Sequence, residues 1–293
     1  VPLNAPDAGG KIYLKLENLL PTGSFKLRGA GNALACLDNQ NLITGVWTPS
    51  AGNMAQSLAW HARRAGIPCT AIVPEDAPPV KLDAIADLGA RIIQVSFSEY
   101  QSIQIHCQRP DLEGTLIHPF ADPQVMAGNG TIGMEILEDL PDVEAILVPY
   151  GGGGLSVGIA AAVRAARPQV KVYACEVATA APLAASLQAN EPVKVSYTPS
   201  FVSGMGAPFV FPQMWPLASQ LLDGSLVVSL SHVAGAIRSL AAYNHLIAEG
   251  AGAVAVAAAL SSSNWRGKVV CVLSGGNIER DTFIQILSGH VPE

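Results

Sequence analysis

Two hydrophobic rhythms alternate along this chain. Short apolar runs rich in Val, Ile and aromatic residues are separated by longer stretches in which apolar positions recur every three or four residues, the marks of strand and helix respectively. Lys11 to Leu16, Gly45 to Thr48, Cys69 to Val73, Arg91 to Val95, Ala145 to Val148, Lys171 to Cys175 and Lys268 to Leu273 read as strands. Ser24 to Cys36, Asn53 to Arg64, Val80 to Leu88, Gln124 to Leu140, Ser156 to Ala166, His232 to Ala248 and Ala251 to Leu260 read as helices. The first of these helices opens at a Thr22/Ser24 cap region, and the second is closed by Gly66 and Pro68. The proline-rich segment Glu191 to Trp215 reads as an irregular connection.

Strands that alternate with helices predict an α/β fold with mostly parallel sheets. The middle of the chain looks like a small βαβαβ unit of its own. The expected organisation is therefore two open twisted sheets flanked by helices, a small lobe of residues 45–119 inserted into a large lobe of residues 1–44 and 120–293. Ligands are expected between such lobes.

Composition narrows the function. Of 293 residues, 49% are hydrophobic and 14% charged, so the chain has a sizeable core and is not disordered. The formal charge is −6, and Arg63-Arg64 is the only basic cluster, which argues against nucleic acid or an anionic membrane as partner. The longest apolar run, Gly250 to Leu260, is too short to cross a bilayer. Cys36, Cys69, Cys107, Cys175 and Cys271 are odd in number and lack CxxC spacing, so free thiols in a reducing compartment are expected. No signal-peptide pattern opens the sequence, and a cytoplasmic location is the expectation.

Four constellations carry candidate chemistry. Gly151-Gly152-Gly153-Gly154 follows one strand and precedes a helix. Backbone N–H groups of such a loop, with the positive end of the helix dipole, suit a phosphate. It is not a Walker loop, since no Lys-Ser/Thr follows, and Ser156 and Val157 stand where a dinucleotide fingerprint needs a small residue. A tight packing turn is the bland alternative. Lys26, one of seven lysines, lies between Phe25 and Leu27 at the start of an otherwise apolar helix. A lysine in such surroundings has a lowered pKa, as an imine-forming amine needs. Ser50-Ala51-Gly52-Asn53-Met54 joins a strand to a helix and offers N–H groups to a carboxylate, although a plain helix cap would look the same. Ser274-Gly275-Gly276-Asn277 ends the last apolar strand, the kind of position at which open α/β sheets bind ligands.

Taken with their spacing, LENLLPTGSFKLRGA, SAGNMAQSLA, MAGNGTIGMEIL, VPYGGGGL and LSGGNI resemble the fold type II pyridoxal 5′-phosphate (PLP) enzymes, with the tryptophan synthase β-like fold. Within that group the chain is most similar to threonine/serine dehydratases and serine racemases, in order from about Tyr13 to Ile278. The resemblance implies that Lys26 forms the Schiff base and acts as the Cα base. It also implies that Phe25 lies beside the ring, that Gly151, Gly152, Gly153 and Gly154 hold the phosphate, that Asn53 binds the ring oxygen and that Ser274 faces the ring nitrogen. Ser50, Ala51, Gly52, Asn53 and Met54 match the loop for the substrate carboxylate. The implied reaction turns a β-hydroxy amino acid (threonine, serine or a bulkier analogue) into a 2-oxo acid and ammonia. Serine racemase or β-replacement synthase activity is the alternative within PLP chemistry, and an inactive PLP-binding protein the alternative outside it. A homodimer is the implied assembly.

Departures from the family pattern sharpen these expectations. Met54 stands where the family usually has histidine, which predicts room for a larger β-substituent. Ala51 stands where serine racemases place a second acid/base serine, which predicts weak racemisation. Glu176 matches one carboxylate of a cation site seen in some relatives, but its partner is absent from Val177 to Leu183. A satisfied strand-end glutamate, with no metal, is expected. The six histidines lack ligand spacing and are read as structural. Relatives carry an additional segment before the stretch that begins at Val1, often closing over the site, so a more open site or a shortened chain is expected. No regulatory domain is expected after SGGNI.

Overall fold

The computed structural model describes residues 1–6, 11–262 and 265–292. In chain order the elements are β1 (Ile12–Leu16), α1 (Lys26–Ala35), α2 (Asn39–Thr44), β2 (Val46–Pro49), α3 (Asn53–Ala65), β3 (Cys69–Pro74) and α4 (Pro79–Ala86). There follow β4 (Arg91–Val95), α5 (Phe97–His106), β5 (Thr115–Leu116), α6 (Pro123–Asp139), β6 (Val143–Pro149), α7 (Gly154–Ala166) and β7 (Lys171–Val177). The chain continues through α8 (Pro182–Ala189), α9 (Trp215–Leu221), β8 (Gly224–Val228), α10 (Leu230–Asn244), α11 (Gly250–Leu260), β9 (Lys268–Leu273) and α12 (Arg280–Leu287).

Two compact units result: residues 1–19 with 130–293, and residues 20–129. The expected small lobe of 45–119 falls inside the second unit, which also takes in 20–44 and 120–129. The first unit carries a five-stranded sheet in the order β1-β9-β6-β7-β8, all parallel. The second carries a four-stranded parallel sheet in the order β4-β3-β2-β5.

The apolar runs explain the parallel geometry. Crossover helices cover a parallel sheet on both faces, so its central strands must be apolar on both sides. β6 is buried at every residue except Glu144, and β9 at every residue after Lys268. Across these strands lies α11, whose residues Gly250 to Ala259 are all buried. A helix that is apolar on every side belongs inside a core, and this one packs with Leu147, Val269 and Leu273 in the main cluster of the first unit. The second unit has its own core around Ala30, Leu58, Ala71, Val73 and Ile85.

Several boundaries differ from the sequence reading. The expected helix to Ala248 stops at Asn244 because His245 adopts φ +56°, and its N–H turns back to the Leu240 carbonyl. Helix α1 begins at Lys26 without a side-chain cap, so Thr22 and Ser24 do not cap it. Thr22 Oγ1 instead pairs with Ser57 Oγ at 2.9 Å. Helix α5 and strand β8 were not legible as apolar runs. A signal for α5 was nevertheless present: Ser96 and Glu99 form the start of a capping box, and Ser96 Oγ accepts from the Glu99 N–H.

Candidate active site

The second unit places Lys26 on the first residue of α1. Its side chain runs past the Phe25 ring, with Nζ 5.1 Å from the ring centroid, and donates to the carbonyl of Pro119. Pro119 follows β5, which lies beside β2 in the sheet. Burial lowers the Lys26 pKa to about 8, because an ammonium group loses its hydration and, among the described residues, gains no carboxylate in return. An amine in that range is substantially neutral near pH 8, the form that can attack a carbonyl.

The loop Ser50–Gly52 leaves the carboxyl end of β2 and enters α3 at Asn53. Gly52 occupies the cap position, and the Gly52 N–H donates to Ser50 Oγ at 3.3 Å. No atom lies within 4 Å of where a Gly52 side chain would begin, so the loop has open space over it. The leading N–H groups of a helix have no partner within the helix, and here they follow this open loop. The Met54 side chain turns the other way, fully buried in the core of this unit. Two contacts bind α1 and the turn before it to α3 and so fix Lys26 relative to the loop: the Thr22–Ser57 pair, and His61 Nε2, which donates to the Leu27 carbonyl at 2.9 Å.

The first unit holds the other two constellations, both at the carboxyl edge of one sheet. β6 and β9 are neighbours, and the glycine loop follows β6 as Ser274 follows β9. Gly153 has φ +91°, a conformation that strongly favours glycine, and its carbonyl accepts from Ser156 Oγ at 3.1 Å. These features turn the chain sharply from strand to helix and leave the N-terminus of α7 at the strand end. Ser274 is buried. The turn after it is set by close packing on α11. A β-carbon at Gly252 would lie 2.1 Å from the Gly275 carbonyl oxygen, and the Glu249 N–H donates to that same oxygen at 3.0 Å.

Glu176, at the end of β7, is also buried, and burial pushes its carboxyl pKa upward. Three donors answer its charge: Leu183 N at 2.9 Å, Ala184 N at 2.8 Å and Ser225 Oγ at 2.6 Å. Among the described residues no cluster of His, Cys, Asp or Glu has the arrangement of a metal site. Among the described residues no helix is long and apolar enough to cross a membrane.

These groups fit PLP. There is a glycine turn at a helix N-terminus for the phosphate, and a buried amine without a counter-carboxylate for the aldehyde. The Ser24 hydroxyl, two residues before that amine, is buried without a partner. Sequence reasoning passed over two neighbours of Lys26, Pro119 and His118. No spacing marks them, because only the fold brings them to the amine.

The fold and these groups define an α/β enzyme of the PLP-binding class. The chain belongs to the pyridoxal-phosphate dependent enzyme family, which matches residues 1–275. It is 42% identical over 278 residues to an L-threonine ammonia-lyase of Geobacter sulfurreducens, covering 94% of this chain and 69% of that one. Against the catabolic L-threonine dehydratase of Escherichia coli it is 35% identical over 282 residues, covering 94% and 86%. Among solved structures, maize serine racemase superposes with a TM-score of 0.87 at 31% identity, covering 97% of this chain and 88% of that one.

Proposed function

We propose that this enzyme converts a β-hydroxy amino acid, L-threonine first among them, to a 2-oxo acid and ammonia. The observation that carries the reading is the buried Lys26 amine with its lowered pKa, in a chain similar over nearly its whole length to threonine ammonia-lyases.

PLP, when bound, supplies an electron sink for the charge left on Cα after its proton is removed. The chain's own residues do the rest. Lys26 is the amine that would hold the cofactor covalently. Nζ would also be the group placed to take the Cα proton, and a pKa of about 8 suits a base at neutral pH. The backbone of Gly151, Gly152, Gly153 and Gly154 would hold the phosphate, Asn53 would donate to the ring oxygen, and Phe25 would lie along the ring. Ser274 would face the ring nitrogen. A hydroxyl there, unlike a carboxylate, would not keep that nitrogen protonated, which would favour β-elimination over transamination. Ser50, Ala51, Gly52, Asn53 and Met54 form the carboxylate loop, through main-chain N–H groups in the case of Met54, whose side chain is buried. Overall the C–OH bond breaks with loss of water, and one water is consumed as ammonia is freed.

A homodimer in the cytoplasm completes the reading, supported by the family resemblance, the acidic net charge of −6 and five unpaired cysteines. The test is a substrate panel of L-threonine, L-serine and β-phenylserine, with 2-oxo acid and ammonia both measured and Lys26→Ala as control. Release of the two products in equal amounts is expected, and because the Met54 side chain is buried away from the loop, no preference for the larger β-phenylserine follows from position 54. Formation of D-serine or of a β-replacement product, without 2-oxo acid, would overturn the assignment.

A further inference from the structure

His118 is buried, lies outside any role assigned so far, and makes every hydrogen bond its ring can make. Nε2 is 2.9 Å from the Gln104 carbonyl at the end of α5. A carbonyl only accepts, so Nε2 carries the proton. Nδ1 lies 3.0 Å from the Ala121 N–H and 3.4 Å from the Phe120 N–H. Both of these donate, so Nδ1 carries a lone pair. The protein therefore selects one neutral tautomer. The Phe120 ring packs edge-on against the imidazole, with centroids 4.5 Å apart.

These contacts enclose one peptide unit. Residues 118, 120 and 121 are all tied to the ring, and the residue between them is Pro119, whose carbonyl accepts from Lys26 Nζ. A proline has no N–H with which to brace its own turn. The two N–H groups that follow it are braced by Nδ1 instead. The charged groups that bear on the ring are Lys26 and Asp122, of opposite sign, while burial disfavours the protonated ring. Protonation at Nδ1 would replace an acceptor by a third donor facing two N–H groups.

We propose that His118 is a positioning residue, whose unprotonated Nδ1 fixes the Pro119 carbonyl and thereby sets where the freed Lys26 amine rests. This rests on the reading of Lys26 as the cofactor-bonding amine. It assigns His118 no contact with substrate or cofactor.

The test uses the full chain, parent and variant, stripped of PLP and then mixed with it while the visible band of the lysine-bound cofactor is followed. His118→Asn puts an amide oxygen near the Nδ1 position and keeps an acceptor for the turn. His118→Leu has almost the same volume and no acceptor. His118→Gln places its amide nearer the Nε2 position, keeping the Gln104 contact and losing the turn. Displacement of a reacting group by a fraction of an ångström is enough to slow capture of PLP at least about tenfold in the Leu variant. The Asn variant is expected to stay within about threefold of the parent. With L-threonine deuterated at Cα, the isotope effect on kcat/KM is expected to rise in the Leu variant and not in the Asn variant.

Equal slowing of the Leu and Asn variants, with native circular dichroism in both, would show a role in packing alone and overturn the proposal. Capture at the parental rate by the Leu variant would overturn it too. If that variant does not fold, the comparison of Asn with Gln decides, and a Gln variant as fast as or faster than Asn counts against it. A parent chain that captures PLP yet releases no 2-oxo acid removes the ammonia-lyase reading while leaving the His118 test intact. A parent that captures none removes both.

Discussion

Glu176 Oε2 and Ser225 Oγ lie 2.6 Å apart, joining the carboxyl-end half of β7 to the edge strand β8. The same carboxylate accepts the N–H groups of Leu183 and Ala184, in the first turn of α8. A buried carboxylate is costly unless it is compensated, and here two helix N–H groups and a hydroxyl compensate it. Replacing it by Gln leaves the charge absent and turns an NH2 group toward donors. Glu176→Gln is expected to destabilise the chain by about 1–3 kcal/mol, read as a lower urea midpoint with an unchanged slope. An unchanged midpoint would mean that the carboxylate is not holding α8 to the sheet.

Lys26 makes stability depend on pH in a definite direction. Its pKa is lowered from 10.5 to about 8 by burial in the folded chain. Between those two values the unfolded chain binds a proton at this site and the folded chain does not. Stability of the PLP-free chain must then rise with pH across that window. Below about 8 both states are protonated, and the full desolvation penalty is present. The rise is about 3 kcal/mol at most, from a shift of that size at roughly 1.4 kcal/mol per unit. Comparing urea unfolding of the parent and Lys26→Met at pH 8 and pH 10 checks it: the gap between them should narrow as pH rises. A constant gap would mean that the amine is solvated.

The parallel sheets were legible because burial on both faces leaves uninterrupted apolar runs: Ala145–Val148 lies within β6, and Lys268–Leu273 coincides with β9. β8 was not legible: Gly224 and Ser225 open this edge strand and confine its apolar run to Leu226–Val228. The candidate site divides the same way. Lys26 and the glycine loop stand out by residue type and local setting. The neighbours that act on Lys26 do not, since the Pro119 carbonyl reaches it across 93 residues of chain and His118 bears on it through the turn around Pro119. Met54 shows the converse limit. The sequence places it in the carboxylate loop, but whether its side chain faces a ligand or the core depends on the start of α3, and the structure buries it.

Gly252 offers a test of how the Ser274 turn is held. Its missing side chain lets α11 press on Gly275, at a distance no β-carbon tolerates. The obstructing atom is main chain and cannot rotate away. Gly252→Ala must therefore push the Ser274–Gly276 turn off its place, and overpacking of this kind costs about 1–3 kcal/mol. Because Ser274 moves with the turn, PLP should be released more readily, at least about tenfold in Kd. Ala253→Ser, at the next position of the same helix, serves as a control for stability loss in the core. Equal loss of PLP affinity in the two variants would uncouple the turn from the cofactor.

Ala51 bears on stereochemistry. Racemisation needs a proton delivered to Cα on the face opposite to the base that removed it, and a methyl group can deliver none. Position 51 is the second residue of the β2–α3 loop, and the family resemblance implies an acid/base serine at this position in serine racemases. On the proposal that Lys26 is the sole effective Cα base, the carbanion should expel its β-hydroxyl before it is reprotonated. The parent enzyme is then expected to form 2-oxo acid from L-serine with D-serine as a trace. Ala51→Ser restores a group of suitable size to a half-buried site and should raise the ratio of D-serine to pyruvate, by at least about tenfold for an added acid/base group. Chiral chromatography of quenched reactions measures that ratio directly. Rapid D-serine formation by the parent, or a ratio unmoved by the serine, would mean that the second proton comes from elsewhere in the site.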